Sequence, residues 1–278
     1  MIILCVNIDK HQHYALLQRT VTMSMGSILL RQLSISLILI VTYSLGAMAE
    51  PLVVGVNPYY RPLVFKENGT LVGIDPATAM EVGKLLSRDI EFQEMDFNAL
   101  IPALISGDID VIMSGMSITD ERKQFVDFSE SYLEIGQMAI VAMSKIGSLS
   151  YPAAIFDEGR TVGVEPGTTG ETYTKDYLST ATIKTYTTPA AAFTALRSGE
   201  IDYYIHDAPT SWKIAETNDY SDLMPLYRSL TKEHLAWAVK KGNLSLLNDL
   251  NDALSRLKAD GKINAIQNRW IPVKVEVN

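Results

Sequence analysis

The sequence is poor in the residue types that build redox centres and metal sites. Its 278 residues include one cysteine, Cys5, near the amino terminus. Beyond residue 49 we therefore predict no disulfide, no thiol nucleophile and no thiolate metal ligand. Two of the four histidines, His206 and His234, follow residue 49, and no cluster of ligands at metal-binding spacing accompanies them. We accordingly predict neither a metal site nor a cofactor.

Long apolar runs are also missing, since no stretch approaches the ~20 apolar residues that cross a bilayer as a helix. The apolar run at residues 33–41 follows Arg31 and precedes the small-residue sequence Ala-Met-Ala at residues 47–49. This order is typical of a secretory signal peptide, and we predict that residues 1–49 are removed by cleavage after Ala49. The alternative interpretation is an uncleaved membrane anchor.

The composition after the predicted cleavage site indicates a soluble periplasmic protein. No cysteine is available there for lipid attachment. Residues 1–21 place polar and charged residues far ahead of the apolar run. Met23 or Met25 is therefore a more natural position for the start of translation of a signal peptide. Removing residues 1–49 changes the formal net charge from −8 to −10. Such an acidic surface disfavours nucleic acid and anionic membranes as partners.

Sequence motifs of common enzymes are absent too. The chain contains no Gly-x-Ser-x-Gly elbow, no GxxxxGK phosphate loop and no His-Glu-x-x-His zinc motif. Their absence favours a binding role over catalysis.

An internal repeat indicates that one α/β unit is used twice. Residues 102–110 and 194–202 both read as a helix end, a glycine, a short turn and a strand. Gly107 and Gly199 suit the left-handed position that follows a helix.

A second pair of matching segments extends the repeat. Residues 54–58 and 162–166 are each an apolar strand that ends at a proline. Apolar strands alternate with amphipathic helices, such as residues 77–86 and 246–257, which predicts parallel sheets with helices on both faces. Ligands of such sheets bind beyond the carboxyl ends of the strands. If two lobes present these ends to each other, four loops line a common cleft: residues 57–63, 114–122, 166–171 and 206–209.

Arg122 is the candidate for gripping a carboxylate. It lies in a predicted helix that begins at Thr119, directly after a strand and the loop that contains Ser117. A guanidinium binds a carboxylate through two hydrogen bonds, and hydroxyl and N–H donors at a helix start can assist it. The alternative is that Thr119 only caps the helix and Arg122 pairs with a surface carboxylate such as Asp127.

The second half of the chain offers a complementary set. Thr168 and Glu171 have the spacing of a capping box within a two-glycine loop whose N–H groups can bind an anion. Asp207 follows a strand and precedes Ala-Pro, the pattern of a helix N-cap, but a carboxylate there can equally take an ammonium group. Arg122 and Asp207 together would bind opposite charges on one small ligand.

Three aromatic residues, Tyr59, Tyr60 and Phe97, lie in or near the loops of the first lobe. They can enclose a ligand side chain, and core packing explains each of them equally well.

Six short stretches form a combined signature: residues 71–75, 98–104, 107–110, 117–122, 126–129 and 167–169. With them, nearly the whole mature chain resembles the family 3 extracellular solute-binding proteins. The resemblance implies a periplasmic binding protein type II fold, an α/β fold of two lobes joined by two crossover strands. It implies that residues 50–141 and 235–278 form lobe 1 and residues 142–234 form lobe 2, with crossings near residues 139–143 and 234–238.

The resemblance also implies roles for individual residues. The arginine that matches Arg122 holds the α-carboxylate of the ligand, and the aspartate that matches Asp207 takes the α-ammonium group. Groups matching Gly115, Ser117 and Thr169 assist the arginine. Aromatic residues matching Tyr60 and Phe97 commonly stack about the ligand side chain.

Two further candidates bear on specificity. Asn57 stands where several receptors of cationic amino acids carry an acid. Glu165 precedes the glycine loop and either reads a basic ligand side chain or lies at the cleft edge in water. A buried carboxylate is costly unless a cation meets it.

The implied function is that of a monomeric periplasmic receptor without catalytic activity. It closes by a hinge around an amino acid or a close analogue and delivers it to the permease of an ABC transporter in the inner membrane. The alternative is a periplasmic cyclohexadienyl dehydratase of the same fold, acting on prephenate or arogenate, for which Glu165 is the candidate acid. A sensor domain of a larger protein is disfavoured, because the sequence ends with the lobe.

Overall fold

The computed structural model describes residues 50–151, 153–216 and 218–271. The predicted signal peptide and its cleavage site lie outside these residues. Residues 50–278 form a compact unit of their own. No helix in the described ranges is long and apolar enough to cross a membrane.

The strands are β1 (Leu52–Val56), β2 (Tyr59–Tyr60), β3 (Val64–Glu67), β4 (Thr70–Val72), β5 (Ile90–Glu94), β6 (Val111–Ile112), β7 (Val126–Phe128), β8 (Leu133–Ile135), β9 (Gln137–Ala142), β10 (Thr161–Val164), β11 (Thr182–Thr185), β12 (Tyr203–Asp207), β13 (Leu223–Leu226), β14 (Glu233–Leu235) and β15 (Ala238–Lys240). The α-helices are α1 (Ile74–Leu86), α2 (Leu100–Ser106), α3 (Ile146–Leu149), α4 (Thr169–Tyr177), α5 (Pro189–Ser198), α6 (Ala208–Glu216), α7 (Leu244–Ala259) and α8 (Lys262–Trp270).

Two five-stranded sheets repeat one topology. The first has the order β5-β1-β6-β15-β7, with β1 parallel to both neighbours and β15 antiparallel to β6 and β7. The second has the order β11-β10-β12-β9-β13, with β10 parallel to both neighbours and β9 antiparallel to β12 and β13. This is the duplication that the internal sequence resemblance predicts.

The matching segments make matching contacts. Gly107 and Gly199 end α2 and α5 with φ angles of 89° and 76°, which glycine adopts without steric cost. Asp110 accepts a hydrogen bond from the Val53 N–H at 2.9 Å, and Asp202 accepts one from the Thr161 N–H at 3.0 Å. In both copies this aspartate ties the third strand of the unit to its first.

Apolar side chains cover both faces of each sheet. In the first sheet, Leu52 and Val54 pack against α1 and α7 on one face, and Ile112 packs with Leu100 and Leu104 of α2 on the other. The second sheet likewise has one cluster on each face. Such two-sided burial produces the near-continuous apolar strands seen in the sequence.

The passage between the sheets lies partly outside the predicted positions. Strands β8 and β14 pair with each other and with neither large sheet. β9 belongs to the second sheet, where Ile140 pairs with Tyr204. The first crossing is therefore at β8, earlier than residues 139–143, and the second sheet begins at Gln137 rather than at residue 142. An apolar strand does not reveal from its sequence alone which of two sheets it joins.

Candidate functional site

The four predicted loops meet between the two sheets around one small cavity. It is lined by Asn57, Tyr60, Phe97, Gly115, Ser117, Arg122, Gln137, Glu165, Thr168, Thr169, His206 and Asp207. The structure thus brings together the residues that the sequence analysis selected for ligand binding, except Tyr59, which is exposed and does not line the cavity. It adds Gln137 and His206, which were not selected.

Arg122 reaches the cavity from a single turn rather than from a helix. Only Arg122–Gln124 forms a short 3-10 turn, and the Thr119 hydroxyl accepts the Arg122 N–H at 3.1 Å. The prediction of a helix from Thr119 is wrong, because strand β7 begins at Val126 and leaves no room for further turns. Thr119 still caps the turn, but no long helix dipole acts here.

The guanidinium of Arg122 is buried and is held by two carbonyl groups. One nitrogen donates to the Ser117 carbonyl at 2.8 Å and the other to the Gly167 carbonyl at 3.0 Å. In the described ranges no carboxylate lies within 4.0 Å of it, and Asp127 pairs with Lys241 instead. Burial lowers the pKa of Arg122, while the charges of Asp207 and Glu233 oppose that effect. The cavity therefore contains a buried cation without a contacting anion.

Asp207 lies on the opposite side of the cavity, at the end of β12. Its carboxylate accepts a hydrogen bond from the Tyr60 hydroxyl at 2.5 Å and another from the Gln137 amide. Burial raises the pKa of Asp207, and the neighbouring His206 acts to lower it. Among the described residues no cationic nitrogen lies within 4.0 Å of this carboxylate. Asp207 is therefore a half-buried anion without a contacting cation.

Gly115 makes room for Tyr60. Its φ angle is 61°, and a Cβ atom there would lie 2.4 Å from the Tyr60 ring. Its N–H donates to Asp75 at 2.7 Å, so the group that Gly115 can still offer a ligand is its carbonyl oxygen. Burial raises the pKa of Asp75 to about 7, although the Gly115 N–H and the nearby Tyr132 hydroxyl act to lower it.

The glycine loop opens α4 at the cavity. Thr168 caps the helix by accepting the Glu171 N–H at 3.2 Å, as the capping-box spacing predicts. The Glu171 carboxylate reaches back to the Gly167 N–H at 2.8 Å. Within the described part of the chain, the Thr169 and Gly170 N–H groups have no hydrogen-bond partner. They are free donors at the positive end of a helix.

Glu165 is buried and its charge is met inside the protein. His206 lies 3.6 Å from its carboxylate, and the Asn57 amide donates to it at 3.4 Å. Burial lowers the pKa of His206, but Glu165 and Asp207 together outweigh burial and raise it above the usual value. No group of three or more His, Cys, Asp or Glu side chains in the described ranges is arranged to hold a metal ion.

A polar network behind the cavity was missed from the sequence. Glu233, on β14, accepts hydrogen bonds from the hydroxyls of Ser117 at 2.5 Å, Thr169 at 2.8 Å and Thr231 at 2.6 Å. Gln137 donates to the Thr169 hydroxyl at 2.9 Å. Gln137 did carry a sequence signal, since it is the one polar residue at the start of an apolar strand. Glu233 carried none, because 116 positions separate it from Ser117.

Hydrogen bonds across the cavity join the half of the molecule that contains the first sheet to the half that contains the second. Three of the contacts already described join them: Tyr60 with Asp207, Asn57 with Glu165, and Arg122 with the Gly167 carbonyl. The volume of the cavity is about 20 Å³, which is room for about one water molecule. A larger ligand requires the halves to separate before it can enter.

Comparisons with known proteins agree with this architecture. The model of the bacterial extracellular solute-binding proteins, family 3, matches residues 52–273. A glutamine-binding protein of an ABC transporter from Bacillus subtilis (strain 168) is 33% identical over 207 residues, which cover 73% of this chain and 74% of that protein.

Two solved structures are similar over most of their length. An ancestral arginine-binding protein bound to arginine is 35% identical with a TM-score of 0.75, covering 80% of this chain and 99% of that one. An ancestral amino acid-binding protein, described as a precursor of cyclohexadienyl dehydratase, is 33% identical with a TM-score of 0.74, covering 80% of this chain and 95% of that one.

Proposed function

Because this chain belongs to the bacterial extracellular solute-binding proteins, family 3, we propose that it captures an amino acid by closing its two lobes. It then delivers the amino acid to the permease of an ABC transporter. All three relatives described above are named as amino-acid-binding proteins, and the one from Bacillus subtilis serves an ABC transporter.

One observation carries this proposal: the cavity has a buried cation, Arg122, and a half-buried anion, Asp207, and neither is in contact with a group of opposite charge. Arg122 and Asp207 line the same cavity, one contributed from each side. Unpaired buried charges are costly, so both gain when a ligand supplies the missing charges. An α-amino acid has a carboxylate and an ammonium group one carbon apart. It is therefore the ligand that completes both pairs at once.

The side chain of the ligand points, in this proposal, toward a polar end of the cavity. Glu165 and Asn57 contact each other there, and Tyr60 and Phe97 also line the cavity. His206 already neutralises Glu165, so a basic side chain is not required to satisfy that carboxylate. Polar side chains, charged or neutral, fit this environment. Glutamine and arginine, the ligands named for the two relatives, are the first candidates.

The protein acts, on this proposal, as a periplasmic monomer without chemistry of its own. The predicted signal peptide supports export. The dehydratase alternative needs a carboxylic acid free to donate a proton in the cleft. Glu165 is the candidate, and its carboxylate is already engaged within the protein by His206 and Asn57.

The test is calorimetric titration of residues 50–278, unfolded and refolded to remove any ligand carried through purification. The titrants are the common amino acids, cystine, prephenate and arogenate. We expect one-to-one binding of one or a few amino acids at roughly micromolar Kd, about −8 kcal/mol, with no product. Turnover of prephenate or arogenate would instead establish the dehydratase. If none of the amino acids bound, the result would contradict the proposed ligand class.

A further inference from the structure

Glu233 is the most highly coordinated acidic group near the cavity, yet it does not line it. It lies on β14, one of the two strands that pass between the sheets. Three hydroxyls donate to it: Ser117 beside the first sheet, Thr169 beside the second, and Thr231 just before β14. Two of those hydroxyls, those of Ser117 and Thr169, belong to residues that line the cavity.

The chemistry of a hydroxyl fixes what these two residues can offer a ligand. A carboxylate accepts hydrogen bonds only, so both hydroxyl protons point at Glu233. A hydroxyl has one proton and two acceptor lone pairs. With the proton engaged, Ser117 and Thr169 present acceptors to the cavity and no donors.

The hydrogen bonds of Gln137 likewise leave acceptors on this side of the cavity. The Gln137 amide donates to the Thr169 hydroxyl at 2.9 Å and also to the carboxylate of Asp207. Thr169 and Asp207 are thus joined through one amide and lie on the same side of the cavity. Donors for a carboxylate lie elsewhere, in the Arg122 guanidinium and the free N–H groups of Thr169 and Gly170.

From this geometry we infer that Glu233 is a positioning residue that sets Ser117 and Thr169 as acceptors for the α-ammonium group of the ligand, together with Asp207. The inference rests on the proposed function and refines it. The resemblance implies that groups of Ser117 and Thr169 assist Arg122, whereas the hydrogen bonds to Glu233 leave their two hydroxyls as acceptors. Glu233 itself touches no part of the ligand.

The experiment compares amino acids with counterparts that lack the α-amino group. The probes are L-glutamine with glutaramic acid, and L-arginine with 5-guanidinopentanoic acid. Their affinities are measured calorimetrically on the refolded unaltered protein and on Glu233→Leu. The unaltered protein should lose about 100-fold or more in affinity when the amino group is absent.

Glu233→Leu leaves the hydroxyls of Ser117 and Thr169 without this acceptor, so their protons are free to turn toward the cavity. The amino acid should then bind at least ~10-fold more weakly, while the counterpart binds as before or better. The ratio of the affinity for the amino acid to the affinity for its counterpart should fall to about tenfold or less. A merely structural role would weaken both ligands equally and leave the ratio unchanged, which would overturn the inference.

Two further variants keep the test decisive. Glu134→Gln removes the same charge from β8, the strand that pairs with β14, at an exposed site, and should change neither affinity. Ser117→Ala deletes one hydroxyl, so it should weaken the binding of the amino acid and spare the counterpart even if Glu233→Leu folds poorly. Equal weakening of both ligands by Ser117→Ala would assign that hydroxyl to the carboxylate. If the unaltered protein bound neither these two nor any other common amino acid, the proposed ligand class would be refuted, and the inference with it.

Discussion

The charged residues of the cavity fall into two groups, according to whether the protein itself neutralises them. Glu165 and His206 lie 3.6 Å apart and satisfy each other. Arg122 and Asp207 have hydrogen-bond partners but no opposite charge in contact. Since an isolated buried charge destabilises the fold, the second group is the signature of a bound ligand. At the scale of single residues, this difference distinguishes the charges that bind the ligand from the charges that pair within the protein.

Arg122→Ala should abolish most amino-acid binding. Removing the guanidinium deletes a charge-assisted pair, and we expect the affinity to fall by about 100-fold or more. Stability should be little changed, because the lost group is a buried cation that is not neutralised in the ligand-free protein. Calorimetry and thermal unfolding measure the two effects. Arg256→Ala, at an exposed position of α7, is the matched control and should leave both unchanged. Unaltered affinity in Arg122→Ala would refute the assigned role.

Asp75 should make stability depend on pH. Between the ordinary carboxyl pKa of 3.8 and its raised value of about 7, the folded protein keeps a proton that the unfolded chain has released. The free energy of unfolding therefore falls as pH rises through this window, by as much as ~4 kcal/mol. Asp75→Asn cannot titrate and can still accept the Gly115 N–H. Its stability relative to the unaltered protein should rise steadily from about pH 4 to pH 7.

Denaturant unfolding at several pH values measures this difference. Asp252→Asn, which removes an exposed carboxylate from α7, serves as the control and should track the unaltered protein throughout. A difference between Asp75→Asn and the unaltered protein that stays constant with pH would show that Asp75 titrates normally.

The sequence predicted the residues that line the cavity better than it predicted their contacts. Arg122 and Asp207 were identified because each follows a strand, and strand ends gather at a cleft. The Glu165–His206 pair and the role of Glu233 were not predicted. Those depend on contacts between positions far apart in the chain, and nothing local in the sequence encodes which polar groups meet.

At the scale of elements, capping residues predicted the ends of the longer helices correctly. The glycine ends of α2 and α5 and the Thr168 cap of α4 lie where the sequence predicts them. The predicted helix at Thr119 is only one turn, because the next strand begins too soon. Capping residues mark where a turn begins and do not determine how far it continues.

Thr168→Ala tests whether the cap of α4 also serves binding. Loss of the cap should cost about 1 kcal/mol, equivalent to roughly 2–4 °C in Tm, and should loosen the first-turn N–H groups that face the cavity. We expect affinity for the amino acid to fall severalfold. Thr188→Ala is a close control, since Thr188 caps α5 in the same way and does not line the cavity. It should cost similar stability and leave affinity unchanged. Equal affinities in Thr168→Ala and Thr188→Ala would show that the cap of α4 does not contribute to ligand binding.

At the scale of the whole molecule, two copies of one α/β unit face each other, and each contributes one of the unmatched charges. Arg122 follows β6 of the first sheet, and Asp207 ends β12, the matching strand of the second. Neither half can hold both ends of an amino acid alone. Ligand binding therefore favours the arrangement in which the halves are together, and a separated arrangement admits the ligand.

The most direct test of this account is calorimetric titration of the refolded protein with L-glutamine or L-arginine and with two blocked forms of each. One form carries an amide in place of the α-carboxylate, and the other carries an acetyl group on the α-nitrogen. If Arg122 and Asp207 read the two charged ends, each blocked form should bind about 100-fold or more weakly than the free amino acid. Tight binding of either blocked form would contradict the account, because one of the two charges would then remain unpaired in the complex.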